Sequence, residues 1–287
     1  MKRLIPSLRS ALASCCEDDE LQTVVKSLCC ELLRIDEYTY YLKDDVTLTH
    51  TQLEALAQAV HRLQSGEPLQ YVLGNAPFGG VTVQIDNNVL IPRPETSQLA
   101  RLALELTLGQ SFLDVGTGSG CIALALADGC KGGNIIACDV SEKALSTARR
   151  NAGNVAVNIR FIQTDILSIL ADNTLPEGLQ NIEVDGIVSN PPYVRESERI
   201  FMERRVLDWE PALALFVPDA DPLLFYRALA LLGQTPLLRP GGMLCVEINR
   251  DFGFETSVLF HLYGYQDIRV IPDLFGNDRF VTCHKKA

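Results

Sequence analysis

The chain has 287 residues, enough for one large α/β domain with a small companion or for two ordinary domains. Hydrophobic residues make up 47% and charged residues 21%, the usage of a globular protein with a sizeable core, which excludes a disordered chain. The net charge is −11, with 7 basic and 11 acidic side chains in residues 1–75 and 18 and 25 in residues 76–287, which argues against a general nucleic-acid binder built on Lys and Arg.

From Leu4 to about Leu63 the apolar residues recur at three- and four-residue intervals, as in Leu21, Val24, Val25, Leu28 and Leu32, which is a helical period. Thr49 stands at an N-cap position before the helix that contains Leu53, Leu56 and Val60. Residues 1–68 are therefore expected to form a small helical domain, closed by Gly66-Glu67-Pro68. Residues 69–92 turn β-prone, as in Gly80-Val81-Thr82-Val83-Gln84-Ile85, and predict a β-hairpin connector.

From residue 93 to 287 apolar runs alternate with helical patterns, the signature of an α/β domain built from βαβ units. The expected strands are Phe112–Val115, Ile135–Cys138, Arg160–Gln163, Gly186–Ser189, Met243–Ile248, Gln266–Ile271 and Arg279–Cys283. Continuous hydrophobicity in the first five implies a parallel sheet covered on both faces. A turn-rich segment, Pro272 to Asp278, separates the last two, which are expected to pair antiparallel at one edge.

The first strand runs into Asp114-Val115-Gly116-Thr117-Gly118-Ser119-Gly120 and then an apolar helix. Glycine is needed where a backbone turns with positive φ or lies against a ligand. A dinucleotide site also places glycines between strand and helix, but spaced Gly-x-Gly-x-x-Gly. The tighter spacing here, with an acid two residues ahead, favours S-adenosylmethionine, whose cationic methionine end suits Asp114. Asp139 ends the second strand, where an acid accepts hydrogen bonds from ribose hydroxyls. Asp165 follows the third strand and is expected to accept from the adenine amino group, with Ile166 beside it.

Asn190-Pro191-Pro192-Tyr193 follows the fourth strand. The prolines fix their own φ angles and hold Asn190 extended, so its side-chain oxygen and the Pro191 carbonyl point in set directions. Two fixed acceptors suit the two hydrogens of a planar NH2 group, and Tyr193 is expected to cover its flat face. A stiff surface turn is the alternative use of those four residues.

Nine cysteines form no Cys-x-x-Cys pair and read as reduced thiols. The four histidines lack ligand spacing, so no metal site is expected. Without a signal-peptide pattern or a membrane-length apolar segment, the expected setting is the cytoplasm, as a monomer.

Several further segments extend the pattern: Gly66-Glu67-Pro68-Leu69-Gln70-Tyr71, Leu90-Ile91-Pro92-Arg93-Pro94-Glu95-Thr96, Glu210-Pro211-Ala212-Leu213-Ala214-Leu215 and Gly276-Asn277-Asp278-Arg279. Together with the glycine-rich motif and Asn190-Pro191-Pro192-Tyr193, they make the chain resemble the HemK-type protein-glutamine N5-methyltransferases that modify peptide chain release factors. The resemblance implies a seven-stranded Rossmann-like methyltransferase domain of class I, dependent on S-adenosylmethionine, with a helical N-terminal domain and a hairpin. It also implies the substrate, the glutamine of the Gly-Gly-Gln motif in class I release factors, bound by Asn190, Pro191, Pro192 and Tyr193. Gly116, Thr117, Gly118, Ser119 and Gly120 would hold the cofactor with Asp114, Asp139, Asp165, Ile166 and Asn190. One departure stands out, because relatives often carry an aromatic residue where this chain has Ile166.

Asn-Pro-Pro-Tyr also occurs in adenine-N6 methyltransferases of DNA and RNA, the main competing reading, and the acidic balance argues for a protein substrate instead. A non-catalytic cofactor-binding module is the other alternative. Glu95 either closes the cofactor pocket or pairs with Arg93, and Arg195, Arg199, Arg204 and Arg205 either meet an acidic partner or form a solvated helix face, which the interleaved Glu196, Glu198 and Glu203 favour.

Overall fold

A computed structural model describes residues 1–44, 46–155 and 157–287. Two compact units emerge, Met1–Asn75 with Glu203–Trp209, and Ala76–Met202 with Glu210–Ala287.

The first unit is helical, with helices at Leu4–Leu12, Asp18–Ser27, Glu37–Leu42, His50–Gln64, Leu69–Leu73 and Arg204–Trp209. The expected periodicity supplies its core: Leu12, Val24, Val25, Leu28 and Leu56 are buried together. Thr49 caps its helix reciprocally, its hydroxyl accepting from the Gln52 N–H at 3.2 Å while Gln52 Oε1 accepts from the Thr49 N–H at 3.0 Å. Leu69–Leu73 is a short helix although the sequence reading begins the hairpin there. Pro68 presents a carbonyl that Val72 N–H reaches at 3.1 Å, and Gly74, at φ +75°, ends the turn in the left-handed region. The hairpin itself is Asn75–Phe78 and Val81–Gln84, joined through Gly79 and Gly80, both at positive φ.

The second unit holds seven strands in one sheet: β1 (Ser111–Val115), β2 (Asn134–Asp139), β3 (Ile159–Gln163), β4 (Val184–Ser189), β5 (Leu238–Glu247), β6 (Gln266–Pro272) and β7 (Asp278–His284). Their order is β6-β7-β5-β4-β1-β2-β3. The first five are mutually parallel, as their continuous hydrophobicity predicts, and β7 runs antiparallel to β6, as the turn-rich segment between them predicts, and also to β5. Every residue of β1 is buried, whereas no residue of β6, at the edge, is more than half-buried. β5 begins earlier than expected, at Leu238, because residues 239–242 bulge out before Met243 regains its register opposite Gly186.

The chain winds one way from β1 through β2 to β3 and the other way from β4 to β5. The order therefore reverses between β1 and β4, where a parallel sheet opens a crevice at the carboxyl ends of its strands. The glycine-rich loop and Asn190 leave the sheet there. Among the described residues no helix is long and apolar enough to cross a membrane.

Gly120 starts the helix Cys121–Gly129 at φ +82°, and a Cβ there would lie 3.0 Å from the Ala148 Cβ on the helix Glu142–Val155. Gly120→Ala combines backbone strain with a clash and is expected to destabilise the protein by about 2 kcal/mol or more. The urea midpoint of unfolding measures this, and an unchanged midpoint would contradict the packing role of Gly120.

Candidate active site

A cavity of about 280 Å³ opens at the switch point. Its wall combines Gly116–Ser119 after β1, Cys138–Ser141 after β2, Thr164–Ile166 after β3 and Ser189–Pro192 after β4 with Leu90, Arg93 and Thr96. Gly116 and Gly118 have φ of +71° and +54°, and nothing lies within 4 Å of where a Cβ would project from either. The loop thus keeps its backbone bare toward the cavity.

Buried groups hold that loop in place. The N–H groups of Gly116 and Thr117 donate to the Cys138 carbonyl at 2.9 and 3.0 Å. Asn151 donates through Nδ2 to the Ser119 carbonyl at 2.9 Å and to the Gln84 carbonyl at 2.8 Å, so one side chain links the loop to the hairpin. Asn151 was not singled out in the sequence, where it reads as an ordinary helix residue.

Asp114 sits beneath the loop. It is fully buried and lies outside the cavity lining. Its Oδ2 accepts from Thr117 Oγ1 at 2.6 Å and from Ala123 N–H at 3.1 Å, while Oδ1 is buried without a hydrogen-bond partner among the described residues. Burial pushes its carboxyl up to about 7, against those two bonds, which favour the charged form. The folded protein therefore retains a proton, between roughly pH 4 and 7, that the unfolded chain has released. Its contribution to stability is greatest below about pH 4 and is lost as the pH rises toward 7. Asp114→Asn is expected to flatten this part of the stability profile in urea titrations, and a variant with the parental slope would contradict it.

Asp139 lines the cavity with both oxygens already oriented, Oδ2 by Gly118 N–H at 2.9 Å and Oδ1 by Ser141 N–H at 2.9 Å. Each carboxylate oxygen retains a lone pair for a further donor. Burial raises this carboxyl too. Asp165 also lines the cavity, but it is exposed and caps the short helix Ile166–Ser168 through Oδ1, which accepts from Leu167 N–H at 2.9 Å. Ile166 is buried in the wall beside it.

Asn190, Pro191 and Pro192 reach the cavity from the other side. Asn190 donates through Nδ2 to Thr96 Oγ1 at 3.1 Å, and among the described residues no donor meets its Oδ1. Tyr193 lies outside the lining, contrary to the expectation that it covers a planar group. Its ring packs against the sheet core, and its hydroxyl donates to Glu247 Oε1 at 3.0 Å. Glu247 is a residue the sequence reading missed. The available signal was a single acid closing the otherwise apolar run Met243–Ile248.

The separate motifs of the sequence meet around a second carboxylate. Glu210 accepts from the Ile91 N–H at 3.1 Å and from Arg93 at 2.6 Å, fastening the Ile91–Thr96 segment to the Glu210–Leu215 segment. Arg93 is thereby paired with Glu210 rather than Glu95, and Glu95 is not part of the cavity wall, so neither expected role for Glu95 is found. Of the later arginines, Arg195 and Arg199 pair with Glu198 and Glu196 on the surface. Arg205 departs from the solvated-face reading, donating to Glu20 and to the Cys15 carbonyl, both at 2.6 Å, within the helical unit.

The chain is 41% identical over 286 residues to the release factor glutamine methyltransferase of Bacteroides thetaiotaomicron, covering 99% of this chain and 100% of that protein. The chain belongs to the release factor glutamine methyltransferase family. The same-named protein of Flavobacterium psychrophilum is 39% identical, covering 96% of this chain and 95% of its own. Within this family member, residues 5–74 match the PrmC N-terminal domain and residues 95–207 match the methyltransferase small domain. The solved delta-N METTL16 MTase domain shares the fold, with a TM-score of 0.54 at 16% identity, covering 78% of this chain and 97% of that one.

Proposed function

We propose that this enzyme transfers a methyl group from S-adenosylmethionine to the side-chain amide nitrogen of the glutamine in the Gly-Gly-Gln motif of class I peptide chain release factors. Membership of a family so named supports the reaction class. The observation that carries the assignment of residues is the single cavity in which Asn190 and Pro191 face Gly116–Ser119, Asp139 and Asp165.

The cavity fits the donor. Open space above Gly116 and Gly118 leaves room for a ligand against bare backbone, Asp139 offers lone pairs toward hydroxyls, and Asp165 offers Oδ2 toward an amino group. We assign Asp114 to bracing the loop, through the bonds that its Oδ2 accepts from Thr117 Oγ1 and Ala123 N–H. When bound, S-adenosylmethionine supplies an electrophilic methyl group, so that an N–C bond replaces an S–C bond and the acceptor nitrogen sheds a proton to water.

An amide nitrogen is a poor nucleophile because its lone pair is delocalised into the carbonyl. Orientation is therefore the enzyme's main contribution. Asn190 Oδ1 and the Pro191 carbonyl each accept one amide hydrogen, turning the lone pair toward the donor side and stabilising positive charge as it develops on nitrogen. Tyr193 holds the segment to Glu247 instead of stacking on the substrate. Residues 1–68 are assigned to recognition of the release factor, 69–92 to the connector and 93–287 to catalysis. The enzyme acts as a cytoplasmic monomer without stable nucleic-acid binding.

The test incubates the enzyme and labelled cofactor with a purified class I release factor, with its Gln→Ala form, and with DNA. Label on the parental factor alone is the expected outcome. Label on DNA but not on the factor would replace this reading with an adenine-N6 activity.

A further inference from the structure

Glu247 is 1% exposed and outside the cavity wall, yet both of its oxygens are engaged by groups that lead to the site. Oε2 accepts from Thr96 Oγ1 at 2.8 Å, Oε1 accepts from Tyr193 OH at 3.0 Å, and Thr96 Oγ1 accepts from Asn190 Nδ2 at 3.1 Å. We infer that Glu247, acting through Thr96, determines which end of the Asn190 amide faces the cavity, and thereby makes the site select an acceptor that brings N–H groups. The inference rests on the reading of Asn190 as the acceptor for the substrate amide.

An amide turned by 180° about its last torsion fills nearly the same space, so its hydrogen-bond partners decide its direction. Thr96 has one hydroxyl proton. Glu247 as a carboxylate only accepts, so that proton points at Oε2 and Asn190 meets the lone pairs of the Thr96 oxygen. Only a donor satisfies them. Nδ2 must therefore turn to Thr96, which leaves Oδ1 for the cavity. Burial raises the Glu247 carboxyl, opposed by the bonds from Thr96 and Tyr193 and by the charge of Arg279. Because Tyr193 is bound to the other oxygen, the first and last residues of the Asn190–Tyr193 segment are referred to one carboxylate.

Glu247 is a positioning residue on this account, and Glu247→Gln tests it. The glutamine amide can donate to Thr96, releasing the threonine proton toward Asn190 Oδ1 and admitting the reversed amide. The expected result at saturating cofactor is a kcat lower by about 10- to 100-fold, while KM for the release factor and Kd for the cofactor move by no more than about threefold. Thr96→Val should lose activity similarly, Thr96→Ser should recover most of the loss, and the double variant Glu247→Gln with Thr96→Val should be no worse than Thr96→Val alone. In ¹⁵N-labelled protein without substrate, the Asn190 Nδ2 protons should exchange with solvent about tenfold faster in Glu247→Gln than in the parent. A kcat within about twofold of the parent, losses that multiply in the double variant, or unchanged Nδ2 exchange would overturn the inference. The exchange measurement needs no turnover, so it judges Glu247 even where labelling of DNA instead of the release factor defeats the substrate assignment.

Discussion

Asn190→Ala is expected to lower kcat for glutamine methylation by about 10³-fold while Kd for S-adenosylmethionine stays within about threefold of the parent. The loss is large because one atom serves both positioning and charge. In the proposed arrangement Asn190 Oδ1 is the side-chain acceptor following β4 and the Pro191 carbonyl is the backbone one, so truncation would leave a substrate NH2 with half its anchoring. The lone pair of that nitrogen is then free to rotate away from the donor. Truncation also removes the partner of Thr96 Oγ1, which remains bound to Glu247. Cofactor affinity is expected to be spared because Asp139 and Asp165 follow β2 and β3, which lie beyond β1 from the strand that precedes Asn190. Mass measurement of the glutamine-containing peptide reports the rate, and calorimetry reports Kd. A variant rate within about tenfold of the parent would remove Asn190 from the acceptor role.

Asp139→Ala should show the reverse division, with cofactor affinity falling about ten- to a hundredfold, the equivalent of losing charge-assisted hydrogen bonds worth about 1.5–3 kcal/mol. The structure gives a second reason for the size of the effect. Asp139 holds Gly118 N–H and Ser141 N–H, so its removal loosens the glycine loop as well as deleting the proposed ribose acceptor. Asp165 makes a useful control. It is exposed and its Oδ1 is spent on a helix cap, so Asp165→Ala should cost only a few-fold in affinity, about 1 kcal/mol. Equal losses for the two variants in calorimetric titrations would mean that burial does not set their ranking.

The elements that came through from sequence are those whose signal is local. Most strands of the sheet carry their own apolar run, and the loops at their carboxyl ends carry Gly116–Ser119, Asp139, Asp165 and Asn190, which line one cavity at the switch point. Residue type alone did not reveal which way a side chain turns at a strand end. Asp114 and Tyr193 both have chemistry suited to a ligand, but β1 is buried at every position, and Tyr193 finds Glu247 and the core before it finds the cavity. Glu247 and Thr96 lie 151 positions apart and make a pair only after folding, so no window of sequence contains both. The Leu69–Leu73 helix was hidden for a different reason: five residues are too few for periodicity to separate a helical turn from a strand.

The helical unit includes Glu203–Trp209, a segment that the ribosome delivers only after β1 through β4 have been made. At about 5–20 residues per second, that is on the order of ten seconds after Asn75 has been added. Until then Glu20 and the Cys15 carbonyl wait without Arg205, so the amino-terminal part of the chain emerges first but is completed late. A nascent chain halted before residue 203 would carry an unfinished helical unit, and an amino-terminal deletion would leave the Arg204–Trp209 helix without its partners. The order of synthesis and the order of completion are thus different in this enzyme, and its two units are joined by folding history as well as by the peptide bond.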